Sequence, residues 1–511
     1  MKKKVFILPV IMMFISVVSK VLGFLREVLI AQTYGASFVS DSYVFINGII
    51  SLLFINVTNA ITTIFIPMLS EKINYDNKDE QNKFINNILT VITIISIALT
   101  FIGIIGSKYI IKIFAPGFYN QYNATQIDNI NYLLKISMIS LVFIIIQYLF
   151  IGVLQVYKKF LIANVLPVLG NVVIILYIVF LGNKNQANGL VYTLVLSYVF
   201  QFLVCYIAYK SIGYKYKPYF NMSESYIKQI GKLIIPVFIG TSLTQLNFLV
   251  DRIIASGFEA GSLAILNFGN KLTNLIYAVV GMTIGTIIFP YLSEFSMEKN
   301  KKKFISLVEF GINITYILII PLSVFMIFFR MEIVNLVFLR GEFNIEEAKS
   351  TAQVVLYYSI GILAFSLKDL LNKVYYSFKN TRTPMINSFI GITINILLNI
   401  ILSKSMGLNG LALSASIANI IIVLLLITNL SKKIKINYKT MMYKFIVCIL
   451  TSVTISLSLS LFKHYLLNLG NSKLLSLLSL SVLIILNLIL YFIVIFKSKI
   501  INIKYLHKLI K

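Results

Sequence analysis

The chain has 511 residues, of which 58% are hydrophobic and 12% charged, and its mean hydropathy is +0.89. This composition excludes a soluble globular protein, and its length excludes a single membrane anchor, so we predict an all-α polytopic membrane protein. The formal net charge is +27. Because the lysines fall between apolar segments, and not on one face with interleaved aromatic residues, we expect no nucleic acid as a partner.

Apolar windows of about twenty residues, separated by short polar or glycine-bearing breaks, predict fourteen transmembrane helices. They lie near 5–33, 41–70, 85–107, 132–156, 160–181, 188–209, 229–256, 262–291, 304–329, 348–378, 384–403, 408–430, 441–462 and 474–496. We expect the longest polar breaks, at 71–83, 115–129 and 214–226, to be solvated connectors.

Basic residues divide unevenly between the two sides of the predicted membrane. One side holds 29 of the 45 lysines and arginines and the other side nine, while seven fall inside spans. Since cytoplasmic loops carry the excess of Lys and Arg, both termini are predicted to be cytoplasmic.

The middle of the chain repeats its first part at an offset of about 220 residues. ITTIFIPMLSE, ending at Glu71, recurs as IGTIIFPYLSE, ending at Glu294, and Asn171 matches Asn395. Six spans fit one period, which predicts two parallel six-helix repeats plus two extra C-terminal helices, an arrangement typical of transporters. The predicted domains are 1–225 (helices 1–6), 226–435 (helices 7–12) and 436–511 (helices 13–14 and a basic cytoplasmic tail).

Charged side chains interrupt the first span and open the second. Arginine or lysine at mid-bilayer costs roughly 2.5 to 3.5 kcal/mol, so such residues commonly face a watery cavity or a ligand. Arg26 is the strongest candidate, because a guanidinium can hold a phosphate or carboxylate bidentately. The alternative is a structural ion pair with Glu27 or Asp41. Lys20 lies within ~9 Å of Arg26 along the helix, and snorkelling to the inner interface is its alternative.

The second half supplies further charged candidates. Lys271, well inside the eighth span, is the matching cation for an anionic substrate. Asp251 and Arg252, adjacent near the outer end of the seventh span, predict a gate or a structural pair. Lys368 and Lys373 of the tenth span are expected to snorkel to the inner face.

No spacing typical of a metal or cofactor site occurs, and we expect neither. His464 and His507 lie at the edges of apolar runs without neighbouring carboxylates or cysteines. An outward loop holds Glu342, Glu346 and Glu347, which would be the only candidate carboxylates for a membrane glycosyltransferase. A solvated connector is the simpler interpretation of that loop, so we predict no enzyme.

The run KVLGFLREVLIAQTYGASFVSDSY, residues 20–43, is similar to the opening signature of the MurJ/MviN lipid II flippases of the MOP exporter superfamily. Further matches are IFIPMLSE, FAPGF at 114–118, FKNTRTPMINS at 378–388 and GLNGLALSASIAN at 407–419. The resemblance implies a V-shaped bundle of two six-helix lobes, with two C-terminal helices forming a groove for a polyprenyl tail.

The resemblance also implies roles for individual residues. The family's cavity cations correspond to Lys20, Arg26 and Lys271, its acid beside the arginine to Glu27, and its second-span aspartate to Asp41. Two departures stand out. Lys271 replaces an arginine, and the second span lacks the usual arginine, with Phe54 closest to that position.

Our first hypothesis is a flippase that moves polyprenyl-pyrophosphate-linked peptidoglycan precursor, lipid II, across the cytoplasmic membrane by alternating access. The expected partners are this glycolipid, the lipid bilayer and the cell-wall synthesis machinery. The sequence does not identify a coupling ion, and the membrane potential is the expected driving force. The alternatives are a flippase for another polyprenyl-linked glycan, such as a capsule or teichoic precursor, a cation-coupled drug exporter and a membrane glycosyltransferase.

Overall fold

The fold is known from a computed structural model that describes residues 2–75, 77–182, 186–214, 216–298, 300–467 and 473–498. Every regular element within these ranges is helical. The chain forms two compact units, unit 1 (Met1–Ala264) and unit 2 (Ile265–Lys511). The predicted domains 1–225, 226–435 and 436–511 stay predictions, and the basic tail beyond residue 498 lies outside the described residues.

Helices α1 to α11 build unit 1: Lys2–Tyr34, Phe38–Ala60, Ile66–Tyr75, Lys78–Ile105, Ser107–Phe114, Phe118–Gln121, Ala124–Met138, Ser140–Val156, Leu161–Leu181, Gln186–Lys210 and Ser225–Ala255. Helices α12 to α20 follow, mostly in unit 2: Ser262–Ile276, Met282–Met297, Lys301–Phe328, Arg330–Phe338, Ile345–Ser377, Arg382–Met406, Leu408–Ser431, Tyr438–Leu467 and Lys473–Lys497.

Twelve helical stretches among the described residues are long and apolar enough to cross a membrane. The prediction of an all-α polytopic membrane protein is therefore confirmed. Some stretches join two helices, as where α7 and α8 form Ala124–Val156. Two more long helices, α1 with 33 residues and α11 with 31, lie outside these twelve.

Short polar side chains start several of the helices. Asn77 accepts a hydrogen bond from the Glu80 amide and caps α4, because the first amides of a helix lack partners within it. Asn123 and Gln126 form a capping box that starts α7. The prediction that 115–129 is only a connector is therefore wrong, because α6 and α7 occupy most of it and the capping box lets α7 begin before the apolar run. The same holds for 71–83, where α3 continues to Tyr75 and α4 begins at Lys78.

Among the described residues, each unit has one π-helical turn within a membrane-spanning stretch. Ile61–Phe65 lies between α2 and α3, and Tyr277–Gly281 lies between α12 and α13. A π turn adds one residue to the helical turn and displaces the side chains that follow it around the axis. Pro67 and Pro290, which the sequence repeat pairs, come after these turns and lack the amide needed to continue a regular ladder.

In unit 1, α9 packs against both α1 and α10, and α2 packs against α8, α10 and α11. These contacts place the charged part of α1 next to the polar part of α9. In unit 2, α18 packs against α16 and α17, while α14 packs against α16 and α19. Large apolar side chains fill both interiors, among them Phe84 and Leu149 in unit 1 and Leu370 in unit 2.

Candidate substrate site

Arg26 is held at both ends of its guanidinium inside unit 1. Nη2 lies 2.6 Å from Glu27 Oε1, and Nη1 donates to Asn171 Oδ1 over 3.0 Å. The guanidinium carbon is 5.9 Å from the centroid of the Tyr43 ring, a cation–π distance. Glu27 is only 1% exposed and the Arg26 side chain 14% exposed, so most of the ion pair is buried. The structure thus forms the Arg26–Glu27 pair that the sequence offered as an alternative to ligand binding.

Asn171 is the residue that positions Arg26 and that sequence reasoning missed. Its Oδ1 accepts from Arg26, and its Nδ2 donates to the Ser19 carbonyl of α1 over 3.2 Å. The amide also packs against Gly23 of α1, where a Cβ would lie in ordinary van der Waals contact with it. Polar side chains in membrane helices commonly bridge neighbouring helices in this way. In the sequence, the only indication of a role for Asn171 was its match with Asn395 in the internal repeat.

A cavity of about 290 Å³ opens beside Arg26 within unit 1. Its polar wall consists of Asn47, Gln147, Asn171, Ser197, Tyr198 and Gln201. A second cavity of about 140 Å³ shares part of this wall and extends to Thr62 and Gln155. Gln147 Oε1 is buried and has no hydrogen-bond partner among the described residues. A polar space of this size accommodates water, which needs only about 10 to 15 Å³ and two to four polar partners.

Phe54 contributes an aromatic wall to the same cavity. Its ring stacks on Tyr148 with centroids 5.4 Å apart. The sequence analysis identified Phe54 as the residue closest to an arginine position that this second span lacks. An aromatic pair takes that place, so the polarity of the cavity comes from amides, hydroxyls and Arg26.

Asp41 lies in the first turn of α2 and makes no pair with Arg26. Its Oδ2 accepts from the Tyr122 hydroxyl at 2.8 Å and from the Gly261 amide at 2.9 Å, and its Oδ1 accepts from the Ala264 amide at 2.8 Å. The carboxylate is 1% exposed and satisfies amides at the start of α12, as an N-capping acid does. The Arg26–Asp41 ion pair, which the sequence analysis gave as a second alternative, is therefore not formed.

Tyr122 lies in the connection before α7, outside the membrane-spanning stretches. Burial, and then the nearby negative charge of Asp41, raise the pKa of its hydroxyl above the usual range. The group therefore stays protonated and donates to Asp41 throughout the physiological pH range.

The other predicted site residues occupy separate places. Lys20 is partly buried on α1, six residues before Arg26. Asp251 and Arg252 are adjacent near the end of α11, and the Arg252 guanidinium lies over Gly48 of α2. Lys271 is partly buried on α12 within unit 2. Within unit 1 the structure brings Arg26 of α1 together with Glu27, whereas Asp41, in the first turn of α2, accepts from Tyr122.

The charged residues of the tenth predicted span have polar partners inside unit 2. Lys368 donates to Asn419 Oδ1, and Lys373 Nζ lies 2.9 Å from Asp369 Oδ2 and donates to the Thr286 hydroxyl. These contacts hold the ammonium groups against helices, whereas the sequence analysis expected them to snorkel. Within the described ranges, no group of three or more His, Cys, Asp or Glu side chains is placed to hold a metal ion.

One carboxylate of the loop that holds Glu342, Glu346 and Glu347 has a local structural role. Asn344 Oδ1 accepts from the amides of Glu346 and Glu347, and Glu347 Oε2 accepts from the Asn344 amide at 3.0 Å. This capping box starts α16. The Glu347 carboxylate is thus used to begin a helix.

Comparison with known proteins gives consistent matches. A family model described as lipid II flippase MurJ matches residues 30–497. A probable lipid II flippase MurJ of Buchnera aphidicola subsp. Baizongia pistaciae is 30% identical over 413 residues, covering 79% of each chain. Another, of Vibrio cholerae serotype O1, is 28% identical over 411 residues, covering 79% of this chain and 78% of the relative.

Solved structures agree with these matches. One titled lipid II flippase MurJ, inward closed conformation, superposes with a TM-score of 0.81 at 25% identity, over 96% of this chain and 99% of that one. A multidrug resistance MATE family transporter of the MOP superfamily gives a TM-score of 0.65 at 13% identity, over 81% of this chain and 94% of that one. This likeness shows a shared fold alone. The family model covers most of this chain, and the Buchnera relative aligns with 79% of it at 30% identity. The chain therefore belongs to the MurJ family of lipid II flippases.

Proposed function

We propose that this protein moves lipid II from the inner to the outer leaflet of the cytoplasmic membrane by alternating access. The observation that carries this proposal is the family match over residues 30–497, which spans both units. The alternatives have weaker support. The likeness to a MATE transporter extends to the fold only, and Glu347, a candidate for enzymatic chemistry, is used in a capping box.

The chemistry of the substrate fits the charge pattern of the protein. A diphosphate headgroup cannot enter hydrocarbon without losing its solvation, which costs several kcal/mol or more unless charged partners replace the water. Lys20, Arg26 and Lys271 are the proposed partners. Protein groups then substitute for water at the headgroup, while the polyprenyl tail stays in the surrounding lipid, and no covalent step is required.

Arg26 has a specific role in this proposal. Its terminal nitrogens are taken by Glu27 and Asn171 in the structure. A phosphate oxygen would exchange with the Glu27 carboxylate, since both are acceptors that a guanidinium binds through short charge-assisted hydrogen bonds. The polar cavity beside the pair supplies amide and hydroxyl groups that would keep the charges hydrated during the exchange.

The finer architecture is part of the same proposal. Adding α1 and α11 to the twelve membrane-spanning stretches gives fourteen spans, arranged as two parallel six-helix repeats and two C-terminal helices. An even number of spans agrees with the distribution of lysines and arginines, which favours two cytoplasmic termini. The membrane potential is the proposed driving force, and enzymes of cell-wall synthesis are the proposed neighbours.

Complementation tests the proposal. The chain is expressed in a strain whose own lipid II flippase can be depleted, and growth is followed after depletion. We expect rescue. Failure to rescue despite normal membrane expression would contradict lipid II as the substrate. In that case, restoration of another polyprenyl-linked glycan at the cell surface would favour the capsule or teichoic alternative.

A further inference from the structure

An apolar cavity of about 290 Å³ lies within unit 1, in addition to the polar cavities described above. Its walls come from the end of α2, the π turn Ile61–Phe65, α4, α8 and the start of α11. All fifteen residues that line it are valine, isoleucine, leucine, phenylalanine, methionine or glycine. A buried water needs two to four polar partners, whereas an engineered apolar cavity of about 150 Å³ stays dry and binds benzene or xenon. The cavity therefore favours an apolar occupant over water.

The cavity follows α4 and opens at the surface of unit 1. Two of its lining residues are well exposed, Ile95 on α4 at 50% and Ile234 on α11 at 40%. Because the chain spans the membrane, this open side faces the acyl chains of the bilayer. The lining residues of α4 extend from Ile88 to Leu99, which is ~16 Å along the helix axis and about half of the ~30 Å hydrocarbon core. The cavity is thus an apolar slot with the depth of one leaflet.

One end of this slot lies where α4 and α11 begin. Asn87 of α4, the residue before Ile88, donates a hydrogen bond to the Tyr226 hydroxyl over 2.8 Å. Tyr226 in turn precedes Ile227, which lines the slot from α11. This hydrogen bond holds the starts of the two helices side by side. The slot therefore has a polar end at one surface of the membrane and an apolar interior beyond it.

Exposed lysines lie at this polar end. Lys228 and Lys232 each follow a lining residue of α11 and are one helical turn apart, and Lys83 lies in the second turn of α4. Glu224, one turn before Lys228, accepts a hydrogen bond from the Tyr219 hydroxyl. Lysines are typical of the cytoplasmic side of a membrane protein, where the leaflet carries anionic lipids that attract them. The end of the slot thus complements a phosphate at the inner surface.

We propose that the slot binds an anionic phospholipid of the inner leaflet, with one acyl chain between α4 and α11 and its phosphate beside Lys228 and Lys232. This inference depends on the membrane-spanning fold and not on the proposed function. A phospholipid fits better than the polyprenyl tail of the substrate, because the slot covers one leaflet and the proposed substrate moves between two. The acyl chain would pack on Ile61, which also lines the smaller polar cavity, and would support the wall between the two spaces.

Photo-crosslinking to the full-length protein tests the apolar part of the site. The probe is phosphatidylglycerol with a diazirine in one acyl chain, diluted into phosphatidylcholine nanodiscs, and mass spectrometry locates the label. We expect labelling of α4 between Ile88 and Leu99 and of the first three turns of α11. A Cβ at Gly231 would meet no atom within 4 Å, so Gly231→Leu should fill the slot without a clash and reduce this labelling severalfold. Leu233→Phe, on an exposed face of α11 outside the slot, is the control and should be labelled like wild type.

A second pair of variants tests the charged end. Lys228→Gln/Lys232→Gln should reduce labelling by the phosphatidylglycerol probe severalfold, to the level given by a phosphatidylcholine probe with the same acyl chain. Lys301→Gln/Lys302→Gln removes two exposed lysines at the start of α14 and should leave the labelling unchanged.

The distribution of label on the wild-type protein decides the matter even if a variant does not fold. Label spread evenly over all exposed apolar helices would overturn the proposal, as would wild-type labelling of a folded Gly231→Leu. Equal labelling of the wild type by the two probes would contradict an anionic headgroup. Unlabelled lipid II should not displace the probe, and displacement would assign the slot to the polyprenyl tail and contradict the proposal. Since labelling requires no transport, failure of the proposed function would leave this result unchanged.

Discussion

Asn171 of α9 accepts a 3.0 Å hydrogen bond from Arg26 of α1, and this contact joins the two helices beside a polar cavity. Because Arg26 is also paired with Glu27, its terminal nitrogens have fixed positions before any substrate arrives. Preorganisation of this kind lowers the entropy lost when a ligand binds, since the side chain is already immobile.

Replacing Asn171 tests whether this contact sets the position of Arg26. Asn171→Ala removes a hydrogen bond to a charged group, worth about 1.5 to 3 kcal/mol, and should reduce both thermal stability and growth rescue. Asn164→Ala on the same helix is the control, because Asn164 donates to the Phe160 carbonyl at the start of α9. Equal rescue by the two variants would show that Arg26 does not depend on Asn171.

Removing Arg26 has two consequences that a double variant separates. Arg26→Ala should abolish transport, and it should also lower the thermal unfolding midpoint, since losing one partner of a buried pair costs about 3 to 5 kcal/mol. Arg26→Ala/Glu27→Gln removes the stranded charge and should restore stability without restoring transport. Rescue of growth by either variant would contradict a substrate role for Arg26.

The Tyr122–Asp41 hydrogen bond predicts a specific pH dependence. The folded pKa of Tyr122 is raised by burial and by Asp41 above its unfolded value of about 10. Its contribution to stability is therefore complete below about pH 10 and is lost as the pH rises further. Tyr122→Phe should lower the unfolding midpoint modestly at pH 7 and make its decline above pH 10 shallower. Parallel curves for the two proteins would contradict this.

Variants of Glu347, in the capping box at the start of α16, distinguish a transporter from a glycosyltransferase. Glu347→Gln keeps a side chain that can accept from the Asn344 amide, so transport and stability should remain close to wild type. Glu347→Ala should cost about 0.5 to 2 kcal/mol, as for a lost cap. Loss of all function in Glu347→Gln, with normal folding, would instead favour a catalytic carboxylate.

The sequence predicted the helical framework well because membrane helices depend on length and apolarity. The predicted span at 408–430 corresponds to Leu408–Ser431, and that at 160–181 to Leu161–Leu181. The start of α7 was less predictable. Its capping box uses polar residues, Asn123 and Gln126, that composition alone does not distinguish from a connector.

The candidate site was predicted only in part. Intramembrane charge pointed to Arg26, because a charge is conspicuous in an apolar run. Asn171 and Gln147 are neutral, and one amide in an apolar helix gives little indication of which neighbour it faces. The contact between the Arg252 guanidinium and Gly48 depends on how α11 packs against α2, and a single sequence does not contain that information.

The adjacency of Arg26 and Glu27 also limits how the membrane voltage can act. Moving one charge through the field involves about 2.3 kcal/mol per 100 mV, but two opposite charges that move together perform almost no net electrical work. While the 2.6 Å pair stays intact, this part of α1 is electrically silent. Any voltage sensitivity of transport must then originate in the phosphates of the cargo or in cations that lack such a close counterion.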